Sequence, residues 1–361
     1  MATYKEQNKL NVPHLRFPEF HGEWEKCKLG DIAEFSTARV SSAKLDCKNY
    51  VSTENMLQDF QGVVEAKSVP NDTNVISFTC GDILISNIRP YLKKVWKATF
   101  DGGCSSDVFV LHATDAITSD YLHYAIANDR FINFVMSGAK GVKMPRGDKN
   151  QMRTYQLSLP SIQEQHKIAK LLTLLDERIA TQSKLIEDLK KLKAAIIETS
   201  FLSEFSKKME YFSPTIISGK DKNTDGSYPL YGSTGKIGTV STPSYTTPMV
   251  LVARVGSIGT VQYINEPCGV TDNTLILQGD DVEYIYYFLS GFNFKKIISG
   301  TTQPLITASS LKAIDVPILN GHKKKALLAI LKSLDKKINL ESLVENEQRK
   351  LKLYILYQMF I

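Results

Sequence analysis

The fold is decided by a stretch near the middle of the chain, where one kind of region ends and another begins. It reads Leu159-Pro160-Ser161-Ile162-Gln163-Glu164-Gln165-His166-Lys167-Ile168-Ala169, and after a short gap Leu174-Leu175-Asp176-Glu177-Arg178-Ile179. An apolar residue followed by proline closes an extended segment, because proline cannot donate a hydrogen bond within a sheet. The residues after it have helical periodicity, so this stretch joins a globular region to a long helix.

The same arrangement returns roughly 160 residues later. Val316-Pro317 is followed by Lys325-Ala326-Leu327-Leu328 and then by Ser333-Leu334-Asp335-Lys336-Lys337-Ile338, so both copies share an apolar-Pro exit and Leu-Asp-x-x-Ile on a helix. Three pairs of upstream segments correspond in the same order: residues 83–89 with 250–256, 103–111 with 268–277, and 120–124 with 283–287. Matches that keep one order along the chain indicate an internal duplication.

Each half therefore contains a globular region rich in predicted strands, followed by a long helix. Short β-branched segments, such as residues 74–78 and 259–264, are separated by Gly, Pro, Asn and Asp, which is typical of strands and turns. The sequence predicts an α+β fold with two β-rich domains related by an internal pseudo-repeat and separated by two long antiparallel helices that form a coiled coil. The predicted boundaries are 1–160 and 204–319 for the globular domains, and 161–203 and 320–361 for the helices.

The long helices, predicted at about residues 163–199 and 323–359, have apolar residues at heptad spacing. Such stripes need a partner, so we expect the two helices to pack antiparallel against each other. The alternative is that each helix packs only on its own globular domain. The residues expected at the packed faces are Ile168, Leu171, Leu172, Leu175, Ile179, Leu185, Ile186, Leu189, Leu192 and Ile196 in the first helix, and Leu327, Ile330, Leu331, Leu334, Ile338, Val344, Leu351 and Ile355 in the second.

Composition and motifs favour a binding protein over an enzyme. The chain has 361 residues, is 43% hydrophobic and 23% charged, and lacks both a membrane-spanning apolar run and a signal-peptide start, so we expect a folded cytoplasmic protein. Its cysteines and histidines have no metal-binding spacing. Phosphate-loop, dinucleotide-binding, serine-hydrolase and amino-methylating motifs are absent from the sequence. The net charge of +6 lies mostly in the last forty-two residues, which suits nucleic acid or an acidic protein partner.

Taken together, these segments resemble the specificity (S) subunit of type I restriction-modification enzymes over nearly the whole chain. Residues 12–20, 24–25 and 28–32 resemble the entry into the family's first target-recognition domain, and 228–238 and 270–275 resemble its second-domain pattern. The stretch 159–169 with 174–176 resembles the opening of its spacer helix, which is the most specific of these motifs. The second helix departs from that pattern, because Gly321-His322-Lys323-Lys324-Lys325 replaces the Glu-Gln portion.

The resemblance implies a non-catalytic subunit whose two target-recognition domains each read one half of a bipartite, asymmetric site in double-stranded DNA. The spacer helices would hold the domains at a fixed distance. Implied partners are two modification (methyltransferase) subunits and the restriction (translocase/nuclease) subunits, with no membrane. This chain itself would hold no metal and no cofactor, while S-adenosylmethionine, ATP and Mg would act on the partner subunits. A protein-interaction scaffold without DNA specificity is the alternative, which the near-neutral charge of both globular regions favours.

Candidate DNA contacts are side chains that commonly bind bases and phosphates and that lie next to predicted strand ends and glycine-rich loops. Arg89-Pro90-Tyr91 follows a predicted strand, and residues 140–146 form a basic, glycine-containing loop. The candidates in the first domain are Ser86, Asn87, Arg89, Lys93, Lys94, Lys140, Lys143 and Arg146. Those in the second domain are Tyr231, Ser233, Thr234, Lys236, Arg254, Ser257, Asn273 and Gln303. For each of them, an ordinary solvated or structural side chain is the alternative.

Overall fold

The computed structural model describes residues 11–300 and 304–360. This part of the chain forms two compact units. Unit 1 contains residues 11–181 together with 345–360, and unit 2 contains the described residues from 182 to 344.

Unit 1 is built from short strands and helices around a large apolar core and two smaller apolar clusters. Its strands are β1 (Glu25–Lys28), β2 (Ala33–Phe35), β3 (Arg39–Ser41), β4 (Tyr50–Val51), β5 (Asn74–Phe78), β6 (Ile83–Ser86), β7 (Val95–Lys97), β8 (Gly102–Cys104), β9 (Val108–Ala113) and β10 (Gln156–Leu159). Its shorter helices are α1 (Leu29–Ile32), α2 (Ser119–Ile126), α3 (Asp129–Ser137) and α4 (Lys149–Arg153). The side chains of Thr118, Asn128 and Asp148 cap α2, α3 and α4 by accepting hydrogen bonds from backbone amides of the first turn.

The strands of unit 1 pair into three sheets. The central antiparallel sheet has the order β2-β9-β6-β7, and all four residues of β6 are buried. A mixed sheet has the order β3-β5-β8-β4, and β1 pairs with β10. The helices α2 and α3 bury Tyr121 and Phe131 in the core beside the central sheet. This packing fixes the end of β6, where several of the candidate DNA contacts lie.

Unit 2 repeats the four-stranded antiparallel sheet and the two-stranded sheet of unit 1, while its third sheet has three strands. Its strands are β11 (Ser206–Lys208), β12 (Thr215–Ser218), β13 (Tyr228–Gly232), β14 (Gly235–Val240), β15 (Met249–Ala253), β16 (Val261–Ile264), β17 (Gly269–Val270), β18 (Thr274–Gln278) and β19 (Asp315–Pro317). Its shorter helices are α6 (Met209–Phe212), α7 (Val282–Ser290) and α8 (Ala308–Lys312). The sheet order β12-β18-β15-β16 corresponds to β2-β9-β6-β7, and β11-β19 corresponds to β1-β10, whereas the three-stranded sheet has the order β14-β13-β17. The internal pseudo-repeat predicted from the sequence is therefore confirmed.

Two helices of 39 residues each complete the fold, α5 (Ile162–Ser200) and α9 (Gly321–Met359). Within unit 2, Gln182 contacts Glu341 and Lys193 contacts Asp335, so the partner's residue number falls as that of α5 rises. Within unit 1, the buried Ile168 and Leu172 of α5 share a core with Ile355 and Met359 of α9. The helices are antiparallel in both units, as expected from the sequence.

The packed face of each helix is narrower than expected. Buried or half-buried residues recur at two positions of each heptad, the seam of a coiled coil. On this seam lie Ile168, Leu172, Leu175, Ile179, Ile186, Leu189 and Ile196 of α5, and Leu327, Leu331, Leu334, Ile338 and Ile355 of α9. Leu171 lies one position before the seam and packs at the edge of the core of unit 1.

Five residues expected in the coiled-coil core are instead exposed, and for them the prediction is wrong. Each lies one position before a seam residue, so its side chain points away from the facing helix. The seam of α9 between Ile338 and Ile355 is occupied by polar residues such as Glu341 and Gln348. The apolar residues of the sequence therefore do not reveal the position of the seam in this part of the helix. The five exposed residues are Leu185, Leu192, Ile330, Val344 and Leu351, with 40–50% of the side chain accessible.

At the start of α5, the Glu-Gln pair that follows Pro160 binds the helix to the rest of unit 1. The Glu164 carboxylate is 1% exposed and accepts two hydrogen bonds of 2.8 Å from the Arg16 guanidinium, which ties the segment before β1 to the helix. The Gln165 side chain accepts from the amide of Thr118, at the start of α2, and donates to the carbonyl of Pro160. These bonds connect the helix to its domain.

The second copy replaces this amide anchor by an ion pair. Lys324, in the first turn of α9, pairs with Asp281, the residue that precedes α7. Its ammonium group also lies 5.1 Å from the centre of the Tyr284 ring. The second copy thus lacks the Glu-Gln pattern but keeps an equivalent contact. In both units, a side chain at the start of the long helix binds the start of a short helix in its own domain.

Candidate nucleic-acid interface

In unit 1, backbone hydrogen bonds bring the turn after β6 and the basic loop together. The amide of Arg89 donates to the carbonyl of Pro145 (2.8 Å), and the amide of Gly147 donates to the carbonyl of Asn87 (3.0 Å). Lys140 and Arg146 exchange two backbone hydrogen bonds of 2.9 Å and so close the loop between them. Asn87, Arg89, Lys140 and Arg146, which the sequence left on separate segments, are thereby held on neighbouring segments.

The backbone around the turn is strained. Arg89 and Lys93 both have left-handed conformations, with φ of 49° and 55°, on either side of the short 3-10 helix Pro90–Leu92. Non-glycine residues rarely adopt this region, at a cost on the order of 1 kcal/mol each. Such strain concentrates at binding sites, where it positions side chains.

The cations of this region are held by weak contacts. Lys93 pairs with Asp129, Lys140 with Asp148 and Arg146 with Asp107, at 2.7–3.5 Å. The Lys140 ammonium group, by its hydrogen bond, and two backbone amides lower the pKa of Asp148. The Lys94 ammonium group donates to the carbonyl of Thr53. Burial, together with the nearby charge of Arg89, lowers the pKa of Lys94. Exposed pairs contribute little, so these cations can exchange a carboxylate for a phosphate.

Two candidates of unit 1 have contrasting environments. Lys143 lies at the tip of the loop and is exposed, beside the fully exposed Val142. Ser86 is 2% exposed, and its hydroxyl donates to the carbonyl of Ile88. The Ser86 side chain is therefore enclosed and its hydroxyl is already paired, so burial does not favour the prediction of Ser86 as a DNA contact.

In unit 2, the hairpin between β13 and β14 lies beside the end of β15. The amide of Thr271 donates to the carbonyl of Tyr231 (3.0 Å), and that of Arg254 donates to the carbonyl of Asn273 (2.9 Å). The Tyr231 hydroxyl donates to Glu266, and burial followed by this hydrogen bond raises its pKa to about 12, so the hydroxyl remains a donor. Tyr231, Arg254 and Asn273 are thus connected through adjacent backbone segments.

The other candidates of unit 2 are in turns. Ser233 and Thr234 form the turn of the β13–β14 hairpin, Lys236 lies on β14 opposite Tyr231, and Ser257 lies in the turn between β15 and β16. Thr234, Lys236, Ser257 and Asn273 are exposed. Gln303 lies outside the described residues.

Two polar residues of unit 2 are absent from the candidates chosen by sequence, Ser218 beside Arg254 and Thr271 in the segment before Asn273. The Ser218 hydroxyl accepts a hydrogen bond of 3.3 Å from Arg254 Nη1, while Thr271 Oγ1 is buried and has no partner among the described residues. Thr271 belongs to the segment 270–275, which the sequence marks as part of a repeated pattern. That repeat could have indicated Thr271, whereas Ser218 comes from the edge strand β12 and carries no signal in the sequence.

The duplicated fold with a polar surface at the same place in each unit has a counterpart among known proteins. The model of the type I restriction modification DNA specificity domain matches residues 21–191 and, a second time, residues 197–348. The chain belongs to this family. The resemblance seen in the sequence is confirmed, and the chain is a DNA-recognition subunit, the non-catalytic member of a type I restriction-modification system.

Two curated relatives of this specificity subunit are similar along much of their length. The type I restriction enzyme MjaVIII specificity subunit of Methanocaldococcus jannaschii is 25% identical over 98% of this chain and 95% of its own. The type I restriction enzyme EcoDI specificity subunit of Escherichia coli is 24% identical over 60% of this chain and 50% of its own.

Solved structures from type I restriction-modification systems have the same fold. The S subunit of the type I restriction-modification system from M. genitalium is 17% identical, covers 97% of this chain and 99% of its own, and superposes with a TM-score of 0.67. A chain from a structural study of complex assembly and conformational transition of the type I R-M system is 18% identical. The match covers 92% of this chain and 96% of that one, with a TM-score of 0.57.

Two structural features are absent from the described part of the specificity subunit. No helix in it combines the length and apolarity that crossing a bilayer requires. Nor do three or more His, Cys, Asp or Glu side chains in that part converge to hold a metal ion.

Proposed function

We propose that the specificity subunit reads a bipartite, asymmetric site in double-stranded DNA, with unit 1 reading one half and unit 2 the other. The observation that carries this proposal is the duplicated domain, whose equivalent turns present different side chains. Asn87-Ile88-Arg89 follows the central strand β6, whereas Arg254-Val255-Gly256 follows β15. Similar folds with different side chains at their edges would read different base sequences.

The proposed contacts divide into base-reading and phosphate-binding groups. Exposed cations suit phosphates, and half-exposed amides, hydroxyls and Arg254 suit base edges. The contacts proposed for unit 1 are Asn87, Arg89, Lys93, Lys94, Lys140, Lys143 and Arg146. Those proposed for unit 2 are Tyr231, Ser233, Thr234, Lys236, Arg254, Ser257 and Asn273.

The segments 1–160 and 204–319 would act as target-recognition domains, and 161–203 and 320–361 as spacer helices that set the distance between half-sites. The uninterrupted length of α5 and α9 supports this role. Seven residues inserted after Gln182, with seven more after the facing Glu341, keep the heptad phase and add about 10 Å of helix. The gap between the half-sites should then grow by about three base pairs, at 3.4 Å per pair. An unchanged gap would contradict the spacer role.

The outward rows of the long helices are the proposed docking surfaces for two modification subunits. Leu171, Leu185 and Leu192 of α5 correspond to Ile330, Val344 and Leu351 of α9, each 159 residues further along the chain. All six are exposed except Leu171, which is half-buried at the edge of the core of unit 1. Exposed apolar rows of this kind are typical of binding surfaces. Two equivalent rows support two copies of one partner.

The docking proposal can be tested by native mass spectrometry of the co-expressed complex. Leu185→Glu with Leu192→Glu, or Ile330→Glu with Val344→Glu, should each remove one modification subunit. Lys190→Glu, an exposed residue of α5 outside these rows, is the matched control. Retention of two modification subunits by both double variants would exclude the rows as docking surfaces.

The proposed catalytic functions belong to the other subunits of the complex. Restriction subunits would join the complex in the cytoplasm, and S-adenosylmethionine, ATP and Mg²⁺ would act on the partner subunits. The purified chain should therefore transfer no methyl group by itself.

DNA recognition can be tested in cells that carry the chain and its modification subunits. Sequencing of modified bases should reveal adenine methylation in a motif of two unlike halves, absent when the gene is deleted. Methylation that is unchanged by the deletion would refute the proposal. With the purified complex, binding to a duplex containing the motif should weaken steeply with salt, which separates DNA recognition from a role as a protein scaffold.

A further inference from the structure

One position of the duplicated fold holds Asn87 in unit 1 and Arg254 in unit 2. Each residue directly follows the central strand of its unit, β6 or β15, where that strand ends beside the beginning of β9 or β18. The register that establishes the correspondence pairs Ser86 with Val108 in unit 1 and Ala253 with Thr274 in unit 2.

The backbones of the two residues make the same two hydrogen bonds. The amide of Asn87 donates to the carbonyl of Asp107 (2.8 Å), as that of Arg254 donates to Asn273 (2.9 Å). The carbonyl of Asn87 accepts from the amide of Gly147 (3.0 Å), as that of Arg254 accepts from Ile306 (3.1 Å). Gly147 and Ile306 each precede the residue that caps a short helix, α4 or α8. The position is therefore held rigidly, and in the same way, in both units.

The side chains at this position share an unusual property, an enclosed polar atom without a partner. Asn87 Oδ1 and Arg254 Nε are both enclosed and make no hydrogen bond with the described residues. The Asn87 side chain makes none at all within that part of the chain, and the Arg254 guanidinium makes one, from Nη1 to Ser218 Oγ. Unpaired enclosed polar atoms are rare in folded proteins, where a water, an ion or a ligand commonly completes them.

We propose that this position is the paired base-reading residue of the specificity subunit, with Asn87 reading an adenine in one half-site and Arg254 a guanine in the other. The amide of asparagine offers one acceptor and one donor, which match N6–H and N7 of adenine. The guanidinium offers two parallel donors, which match O6 and N7 of guanine. The inference rests on the proposed DNA recognition and adds the base that each unit reads.

Substitutions that keep the size of the side chain test the assignment in the complex with modification subunits. Asn87→Asp replaces the donor by an acceptor, so the base preferred at one position should change from adenine toward cytosine, whose N4 donates. Arg254→Gln should change one position of the other half from guanine toward adenine. Each variant is the matched control of the other, because each should leave the opposite half-site unchanged. The affected motifs are measured by selection from a randomised duplex library and by sequencing of methylated adenines.

Modified DNA tests the same contacts without depending on the folding of a variant. Replacement of the assigned purine by its 7-deaza analogue removes the N7 acceptor and should weaken binding of the native complex by roughly fivefold to a hundredfold. The same replacement should have little further effect on the Asn87→Asp or Arg254→Gln complex.

The outcomes separate this inference from the proposed function. If the native complex selects no bipartite motif, the proposed function fails. If it selects a motif but both variants keep it unchanged, or the 7-deaza purines bind as well as the natural ones, the assignment of Asn87 and Arg254 is overturned. A variant that alters both halves equally would also overturn it.

Discussion

Lys352 of α9 and Asp176 of α5, which are 176 residues apart in the chain, form an ion pair with 2.5 Å between Nζ and Oδ1. The other carboxylate oxygen of Asp176 accepts a hydrogen bond from the Tyr124 hydroxyl of α2 (2.9 Å). Unit 2 repeats the arrangement with Lys193, Asp335 and Tyr287. The aspartate of each Leu-Asp-x-x-Ile segment thus joins its own domain to both long helices.

The Lys-Asp-Tyr triad of each unit should stabilise the fold, and the interaction energy between its members can be measured. In unit 2, a double-mutant cycle with Lys193→Met and Asp335→Asn should give a coupling of about 1 kcal/mol, since both side chains are largely enclosed. The control pair, Lys350 and Glu347, is about 70% exposed on both sides and should couple by less than ~0.5 kcal/mol. Urea denaturation measures both values, and equal coupling of the two pairs would contradict the role of the triad.

The seam and the outward row of α5 should differ in their effect on stability. Leu172 is fully buried, so Leu172→Ala should lower the free energy of unfolding by about 2–5 kcal/mol. Leu185 is 40% exposed, and Leu185→Ala should change it by no more than ~0.5 kcal/mol. The two substitutions are chemically identical and lie on one helix, so thermal or urea denaturation compares position alone. Similar losses would mean that the packed face is as wide as the sequence suggested.

The architecture could be predicted from the sequence because it depends on periodicity and repetition. The 3.5-residue spacing of apolar residues indicated the long helices, and the two Leu-Asp-x-x-Ile segments indicated the duplication. The width of the packed face could not be predicted, because the seam of α9 contains Glu341, Gln348 and Lys352, whose interactions are polar. Apolar residues such as Val344 and Leu351 stood out in the sequence although they point outward.

The candidate interface could be predicted only in outline. Residue type and a position at a strand end made Ser86, Asn87 and Arg254 candidates, but the burial of Ser86 depends on the packing of the whole sheet and could not be predicted. The contact between residues 87–89 and the loop 140–147 depends on pairing between distant segments, and no local pattern encodes it. Ser218 is beside Arg254 for the same reason, through the pairing of β12 with β18.

Removal of Arg16 should destabilise unit 1, because the Glu164 carboxylate would remain buried without a counter-charge. Arg16→Met is expected to lower the free energy of unfolding by about 3 kcal/mol. Arg16→Met combined with Glu164→Gln should recover part of the loss, since the neutral amide is less costly to bury. Lys140→Met, which breaks an exposed pair with Asp148, is the control and should have little effect. Denaturation curves that show no recovery in the double variant would argue against an uncompensated charge.

The stability of unit 1 should also depend on His123. Burial, together with the nearby Lys352, lowers the pKa of this histidine to about 4, and its Nδ1 has no hydrogen-bond partner among the described residues. The unfolded chain, with a histidine pKa near 6.5, binds the proton more tightly than the folded chain does. The contribution of the neutral side chain is therefore complete above about pH 6.5 and is lost as the pH falls toward 4, by up to ~3 kcal/mol.

Comparison with His123→Gln isolates this effect from other titrating groups. The native chain should lose stability relative to the variant as the pH falls from 7 to 4.5, because glutamine takes up no proton. The quantity to measure is the difference between their unfolding free energies at each pH. A difference that stays constant across this range would show that His123 titrates alike in the folded and unfolded chains.

Lys143 should bind a phosphate rather than a base, since it lies exposed at the tip of the loop that Lys140 and Arg146 close. Lys143→Ala should weaken binding of the complex to all duplexes by a similar factor and lower the magnitude of the salt slope, d log K/d log[salt], by about 1. Arg254→Gln, by contrast, should weaken binding to the cognate duplex more than to a scrambled one and leave the slope nearly unchanged. Titrations of both duplexes at several salt concentrations measure these quantities. A Lys143→Ala complex that loses affinity for the cognate duplex alone would place this lysine at a base edge.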